Sequence, residues 1–109
     1  MQFVADLPPA LRSPLLRAGA ARFAAQLAWR RRDPKTAEER LTYAAQELRD
    51  IRARFNLAQV LLELAEILAA CDRDEEAQPL LAEGRAIFEE LHALPWLERA
   101  DAFGTRVPA

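Results

Sequence analysis

The 109 residues are 51% hydrophobic and 29% charged, the balance of one globular domain rather than a disordered chain. A chain of this size removes about two thirds of its unfolded surface from water, enough for a modest core and little margin. A formal charge of −2 and a pI near 5.4 argue against a non-specific nucleic-acid binder. The single cysteine, Cys71, cannot close an internal disulfide, no stretch has the length of a membrane span, and Met1 to Leu11 lacks the basic start and long apolar run of a signal peptide. A cytoplasmic location, with no membrane contact, is the expectation.

With three glycines and many Ala, Leu, Arg and Glu, the chain is composed for helices. Ser13-Pro14 and Asp33-Pro34 each put a side-chain acceptor at a cap and a proline in the first helical position, where its missing N–H costs nothing. The first predicted helix carries Leu15, Ala18, Phe23, Leu27 and Ala28 to a basic end at Arg30, Arg31 and Arg32, where cations meet the negative pole. The second runs from Pro34 to about Ile51, with Ala37, Leu41, Ala44, Ala45, Leu48 and Ile51 on one face.

A third begins near Phe55 and is apolar on more than one side, through Leu57, Val60, Leu61, Leu64, Ala65, Ile67 and Leu68, so it is expected at the centre. A fourth starts at Glu75 with Asp74 as its cap and carries Ala77, Leu80, Leu81, Gly84, Ile87, Phe88 and Leu91. Pro79 inside its second turn predicts a bend or a later start. After a loop from His92 to Pro95, a short fifth helix spans Trp96 to Phe103 and ends at Gly104; Trp96 is expected to cover the end of the core.

Laying residues 15–53 over 55–93 superposes core positions at a period of forty residues. Leu41, Ala44, Leu48 and Ile51 fall over Leu81, Gly84, Phe88 and Leu91, and Asp33 to Ala37 falls over Arg73 to Ala77. The expected fold is all-α, antiparallel helix hairpins stacked as a short solenoid of four helices plus a short C-terminal one. Its limits are a lead at 1–12, the repeat domain at 13–103 and a tail at 104–109.

The spacing resembles the tetratricopeptide repeat. In the second unit Leu61, Leu64, Ala65 and Leu68 match the first-helix pattern, and Ala77, Leu81 and Gly84 the second. The first unit has Ala21, Ala24, Ala25 and Ala28 in the places of large residues, which implies a thinner hairpin. Three phrases, Asp-Arg-Asp-Glu-Glu-Ala at 72–77, Leu-Leu-Ala-Glu-Gly-Arg-Ala-Ile-Phe-Glu-Glu-Leu at 80–91 and Pro-Trp-Leu-Glu-Arg-Ala at 95–100, resemble the C-terminal repeats of LuxR-type ATP-dependent transcription regulators and multidomain adenylate/guanylate cyclases. The resemblance spans about Ala20 to Phe103. That family usually places a glycine after the second helix, where this chain has Arg52 and His92. It implies the regulatory, protein-binding tail of a larger bacterial signalling protein, although the chain has no Gly-x-x-x-x-Gly-Lys-[Ser/Thr] loop and no cyclase metal site of its own.

No residue set makes a convincing catalytic or metal centre, and no enzyme or cofactor is expected. His92 is the sole histidine, and Cys71 sits at the negative pole of a helix, which disfavours a thiolate. Asp72, Asp74, Glu75 and Glu76 lack the glycine and distal glutamate of a calcium loop, and Glu89 and Glu90 point about 100 degrees apart on a helix. Arg30, Arg31 and Arg32 have no interleaved aromatics for base stacking.

In the tetratricopeptide arrangement the first helices of successive units line a groove. That geometry nominates Arg22, Gln26, Trp29 and Arg30 from one unit and Gln59, Leu62 and Glu66 from the next as contacts for a protein or peptide partner. Trp29 and Arg30 have the character of interface anchors. The competing reading packs Trp29 on Phe3 to Leu7. A second possibility for the whole chain is a self-associating helical bundle, an oligomerisation or adaptor protein whose partner is itself.

Overall fold

The computed structural model describes residues 13–104, all of it helix and turn. The expected lead at 1–12, with the contact between Trp29 and Phe3 to Leu7, lies outside these residues, as does the tail beyond Gly104. Five helices follow one another: α1 (Pro14–Arg30), α2 (Pro34–Asp50), α3 (Arg54–Ala70), α4 (Asp74–Glu90) and α5 (Leu94–Gly104). The fold is all-α, built as expected from helix hairpins. α1 pairs with α2 and α3 with α4, the hairpins join through α2 and α3, and α5 packs on α4.

The helices begin at 14, 34, 54, 74 and 94, and each of the first four is 17 residues long. The structural period is therefore twenty residues, half the sequence repeat. Its cause is one turn used four times. Arg32, Arg52, Asp72 and His92 all have positive φ, at 61°, 58°, 61° and 55°. At each turn the next amide reaches back to the carbonyl five residues earlier: Asp33 to Ala28, Ala53 to Leu48, Arg73 to Leu68 and Ala93 to Phe88, all at 2.9 or 3.0 Å. The left-handed residue donates to the carbonyl three back, completing a Schellman turn. Glycine normally takes this place. Arg52 and His92 stand there instead and adopt the glycine conformation, so the turn forms without glycine.

Helix starts differ by a residue or two from expectation. α4 begins at Asp74 itself, so Asp74 belongs to the acidic first turn with Glu75 and Glu76 and is not the cap. Pro79 neither delays nor splits the helix; Glu75, whose carbonyl loses its partner, and Pro79 are both exposed, so water can satisfy the carbonyl. α5 starts at Leu94, two residues early, because Pro95 is tolerated in a first turn. Asp33 does cap α2, accepting from the Thr36 amide at 3.2 Å.

The core is one cluster running through the stack, with Phe88, Leu41, Leu61, Leu62 and Val60 its largest fully buried side chains. α3 lies at the centre, with nine buried residues, as its all-round apolarity predicted. α1 contributes only alanines, Ala18, Ala21, Ala25 and Ala28. Close approach sets the hairpins: a Cβ at Gly84 would lie 3.2 Å from the Ala58 carbonyl oxygen. The matching positions one repeat earlier, Ala44 and Ala18, are also buried. Phe23 and Leu15, two of the apolar positions that run along the first predicted helix, are 62% and 44% exposed, and Ile51 and Leu91 are exposed at the helix ends. At the far end Trp96 stacks on Phe88 at 5.7 Å and meets Phe55 edge-on, covering the core.

Ion pairs tie the helices at set heights. Arg17 binds Glu47 between α1 and α2, Arg49 grips both carboxylate oxygens of Glu83 between α2 and α4, and Arg54 binds Glu90 between α3 and α4. The Arg17 guanidinium, helped by the Tyr43 hydroxyl, holds the Glu47 carboxyl below the usual carboxylate range, and Arg49 does the same to Glu83. Individual pairs of this exposure are worth about 0–1 kcal/mol.

Three outcomes are expected in urea unfolding. Arg52→Gly should raise stability by about 0.5–1 kcal/mol, because a non-glycine residue pays for the left-handed conformation, whereas the same change at exposed Arg40 within α2 should lower it by about 1 kcal/mol. Gly84→Leu should cost about 1–3 kcal/mol by forcing α3 and α4 apart. Because Glu47 and Glu83 are depressed in the folded state, their contribution is complete above the unfolded carboxylate value and is lost as pH falls below roughly 4 to 5. The urea midpoint should be flat near neutrality and drop in acid, and the drop should be shallower in Arg17→Gln/Arg49→Gln; an unchanged acid slope in that variant would contradict the assignment.

Candidate functional site

α1 and α3 run parallel along one side of the stack, with α2 behind them. Between them lies a groove in two parts. The larger, about 420 Å³, is lined by Ala25, Gln26, Trp29 and Arg30 of α1, Glu63, Glu66 and Ile67 of α3, Leu41 of α2 and Arg99 of α5. The smaller, about 100 Å³, lies beside the N-terminal halves of the same helices and includes Arg22, Gln59, Val60 and Leu48. The bar between them is the Arg22–Glu63 pair. Arg22 donates from Nε and Nη2 to the two carboxylate oxygens at 2.7 and 2.6 Å, a fork-to-fork contact.

Six of the seven nominated residues thus line the groove. Gln26, Trp29, Arg30 and Glu66 share the larger part, while Arg22 and Gln59 line the smaller. Leu62 is a correction: it is fully buried at 0% exposure, because α3 is covered on its other side by α4, whose Gly84 comes within reach of Leu62. Leu62 cannot touch a partner. Spacing alone did not nominate Leu41, Glu63, Ile67 or Arg99. Leu41 and Ile67 show as core residues in any periodicity. Glu63 and Arg99 are visible only once Arg22 and Glu66 are given partners on neighbouring helices.

The groove is apolar at its floor and charged at its walls. Leu41 and Ile67 are almost wholly buried, and Trp29 stands on the rim at 41% exposure. Both acids are engaged. Arg99 donates to both oxygens of Glu66, at 3.2 and 2.7 Å, while its guanidinium sits 5.2 Å over the Trp96 ring. That second contact fixes the arginine from behind. Arg30 has no carboxylate partner among the described residues, so the larger pocket offers one cation beyond those that its own acids neutralise. A rigid aromatic anchor, an apolar floor and one uncommitted guanidinium can hold a side chain or short segment with an aliphatic or aromatic group and a nearby acid.

The other chemistry-bearing residues occupy structural positions. His92 is the exposed left-handed residue of the last turn, and Cys71 is the half-buried C-cap of α3. Glu76 accepts from Arg73, Glu89 from Arg85 and Glu90 from Arg54. Arg31 and Arg32 form the first turn, as C-cap and left-handed residue. Among the described residues no group of three or more His, Cys, Asp or Glu is placed to hold a metal ion, and no helix is long and apolar enough to cross a membrane. No protein-family model, curated protein or solved structure matches the chain, so the site rests on its geometry alone.

Proposed function

We propose that this chain is a protein-binding module whose α1–α3 groove takes up a short peptide or helix of another protein. The observation that supports the reading best is the coincidence, in one 420 Å³ groove, of the half-exposed Trp29 with Arg30, which has no carboxylate partner among the described residues, and the buried floor of Leu41 and Ile67. Tryptophan and arginine are the residues that most often carry binding energy, and here they stand together over an apolar floor. The groove is also stiffened before any ligand arrives, by Arg22–Glu63 and Arg99–Glu66, which lowers the entropy lost on binding.

The resemblance of residues 72–100 to the terminal repeats of LuxR-type regulators and multidomain cyclases supports a more particular setting. In that setting the module is the regulatory tail of a larger bacterial signalling protein in the cytoplasm, without catalysis, cofactor or direct nucleic-acid contact of its own. The engagement of Glu89, Glu90 and Glu76 by arginines, and the role of His92 in a turn, favour binding over catalysis.

Selection of a displayed random-peptide library on the 109-residue chain tests the groove. Peptides are expected that carry an aliphatic or aromatic residue near an acid. Trp29→Ala should weaken them by about 30-fold or more, the loss of about 2 kcal/mol typical of an anchor, with the melting temperature unchanged. Binding that survives Trp29→Ala would place the site elsewhere, and loss of folding would make Trp29 a core residue.

A further inference from the structure

The outer side of α1 carries a charge-free strip. Leu16, Ala20, Phe23 and Leu27 recur at four, three and four residues, with Gly19 and Ala24 beside them, and so fall along one line of the helix. Leu16 is 49% and Phe23 62% exposed, Gly19 and Ala20 are exposed, and nothing lies within 4 Å of a Cβ placed on Gly19. The two arginines within this stretch turn away from it, Arg17 to Glu47 and Arg22 to Glu63. One repeat later the positions of Ala20, Ala24 and Leu27 are held by Val60, Leu64 and Ile67, buried at 2%, 6% and 9% where α2 packs on α3, while those of Leu16, Gly19 and Phe23 are held by Asn56, Gln59 and Glu63 beside the groove. The Ala20, Ala24 and Leu27 edge of the strip therefore matches the surface on which α2 docks one repeat later, Leu16 and Phe23 add apolar bulk where α3 is polar, and no described residue covers the strip.

The opposite end of the stack is finished differently. α5 shows Glu98, Arg99 and Asp101 to solvent, with Asp101 held by Arg85. A head-to-tail contact would bury those charges against apolar α1, so the strip does not fit the far end of another copy. It fits itself. In an antiparallel pair about a two-fold axis crossing between Ala20 and Phe23, Leu16 of one copy faces Leu27 of the other. Phe23 then faces Ala20, and Ala24 faces Gly19. Each large ring meets a small residue, and no like charges are brought together within the strip.

We propose that α1 is a homodimer interface, joined antiparallel through Leu16, Ala20, Phe23 and Leu27. The proposal does not depend on the groove reading. A strip of about six residues per copy is far smaller than the roughly 20–30 of a standard interface, so the dimer should be weak and its population should depend on concentration.

Sedimentation velocity on the full chain over a concentration series tests this. The expected result is a mass that rises from 12.3 kDa toward twice that value as concentration increases. Phe23→Glu should stay monomeric throughout with an unchanged helical circular dichroism spectrum. A wild-type chain that remains monomeric into the millimolar range, as it would if another segment or protein covers α1, overturns the proposal, as does a dimer that persists in Phe23→Glu. Register is read by oxidation in a Cys71→Ser background. Leu16→Cys mixed with Leu27→Cys should give mixed disulfide dimers in excess of either variant alone. Preferential Leu16→Cys self-linkage would mean parallel pairing and also overturn it.

Discussion

The whole arrangement depends on a chain reversal that costs free energy each time it is made. Four non-glycine residues, spaced twenty apart, sit in the left-handed region, where an L side chain costs roughly 1–2 kcal/mol. For a domain whose net stability is about 5–15 kcal/mol, that is a large charge against folding, and the helices on either side must offset it by packing. They do so because the turn is short and always the same. Three residues separate successive helices, so each helix lands antiparallel on its predecessor with small residues, Ala18 and Ala44 or Ala58 and Gly84, at the close approaches. A longer or looser loop would leave that register unset.

Uniform turns have a second consequence, which is the separation of roles between helix layers. Odd-numbered helices lie side by side and leave a groove between them, while even-numbered helices pack behind. Cross-helix arginine–glutamate pairs occur in both layers, Arg22–Glu63 and Arg99–Glu66 in the first, Arg49–Glu83 and Arg73–Glu38 in the second. Each such pair is weak alone. Together they cross from one hairpin to the next in both layers, and Arg22–Glu63 and Arg99–Glu66 do so at the groove itself. The same layering leaves α1 with a bare outer side, because nothing in the described chain plays α2 to it.

Much of the fold was legible in the sequence because its signals are local. Pro14 and Pro34 mark helix starts by a missing N–H, and the forty-residue echo of Leu41, Ala44 and Leu48 in Leu81, Gly84 and Phe88 gives the hairpin repeat. The finer twenty-residue turn was not legible. Its usual mark is glycine, which none of the four positions carries: Arg52 and His92 are pointed to only by the resemblance, as residues in glycine's place, and Arg32 and Asp72 only by the backbone. Periodicity also cannot separate an apolar residue that faces the core, such as Ala18, from one that faces an unfinished end, such as Phe23. Leu62 was misplaced for the converse reason: α3 is enclosed on several sides, and position in a repeat does not say which neighbour covers it. The groove walls on α1 and α3 were foreseen from the repeat geometry, whereas Glu63 and Arg99 became apparent only when charges on separate helices were seen to meet.

The stack holds Trp29 at the rim of an open groove, while Trp96 is half-buried against Phe88 and Phe55. Steady-state fluorescence of Trp96→Phe, which leaves Trp29 as the only indole, reads this directly at a concentration low enough to keep the chain monomeric. Emission near that of a solvated tryptophan, with quenching by acrylamide approaching that of the free amino acid, is expected. A blue-shifted emission shielded from acrylamide would mean that Trp29 is covered by the chain itself, and the groove would then lose its anchor.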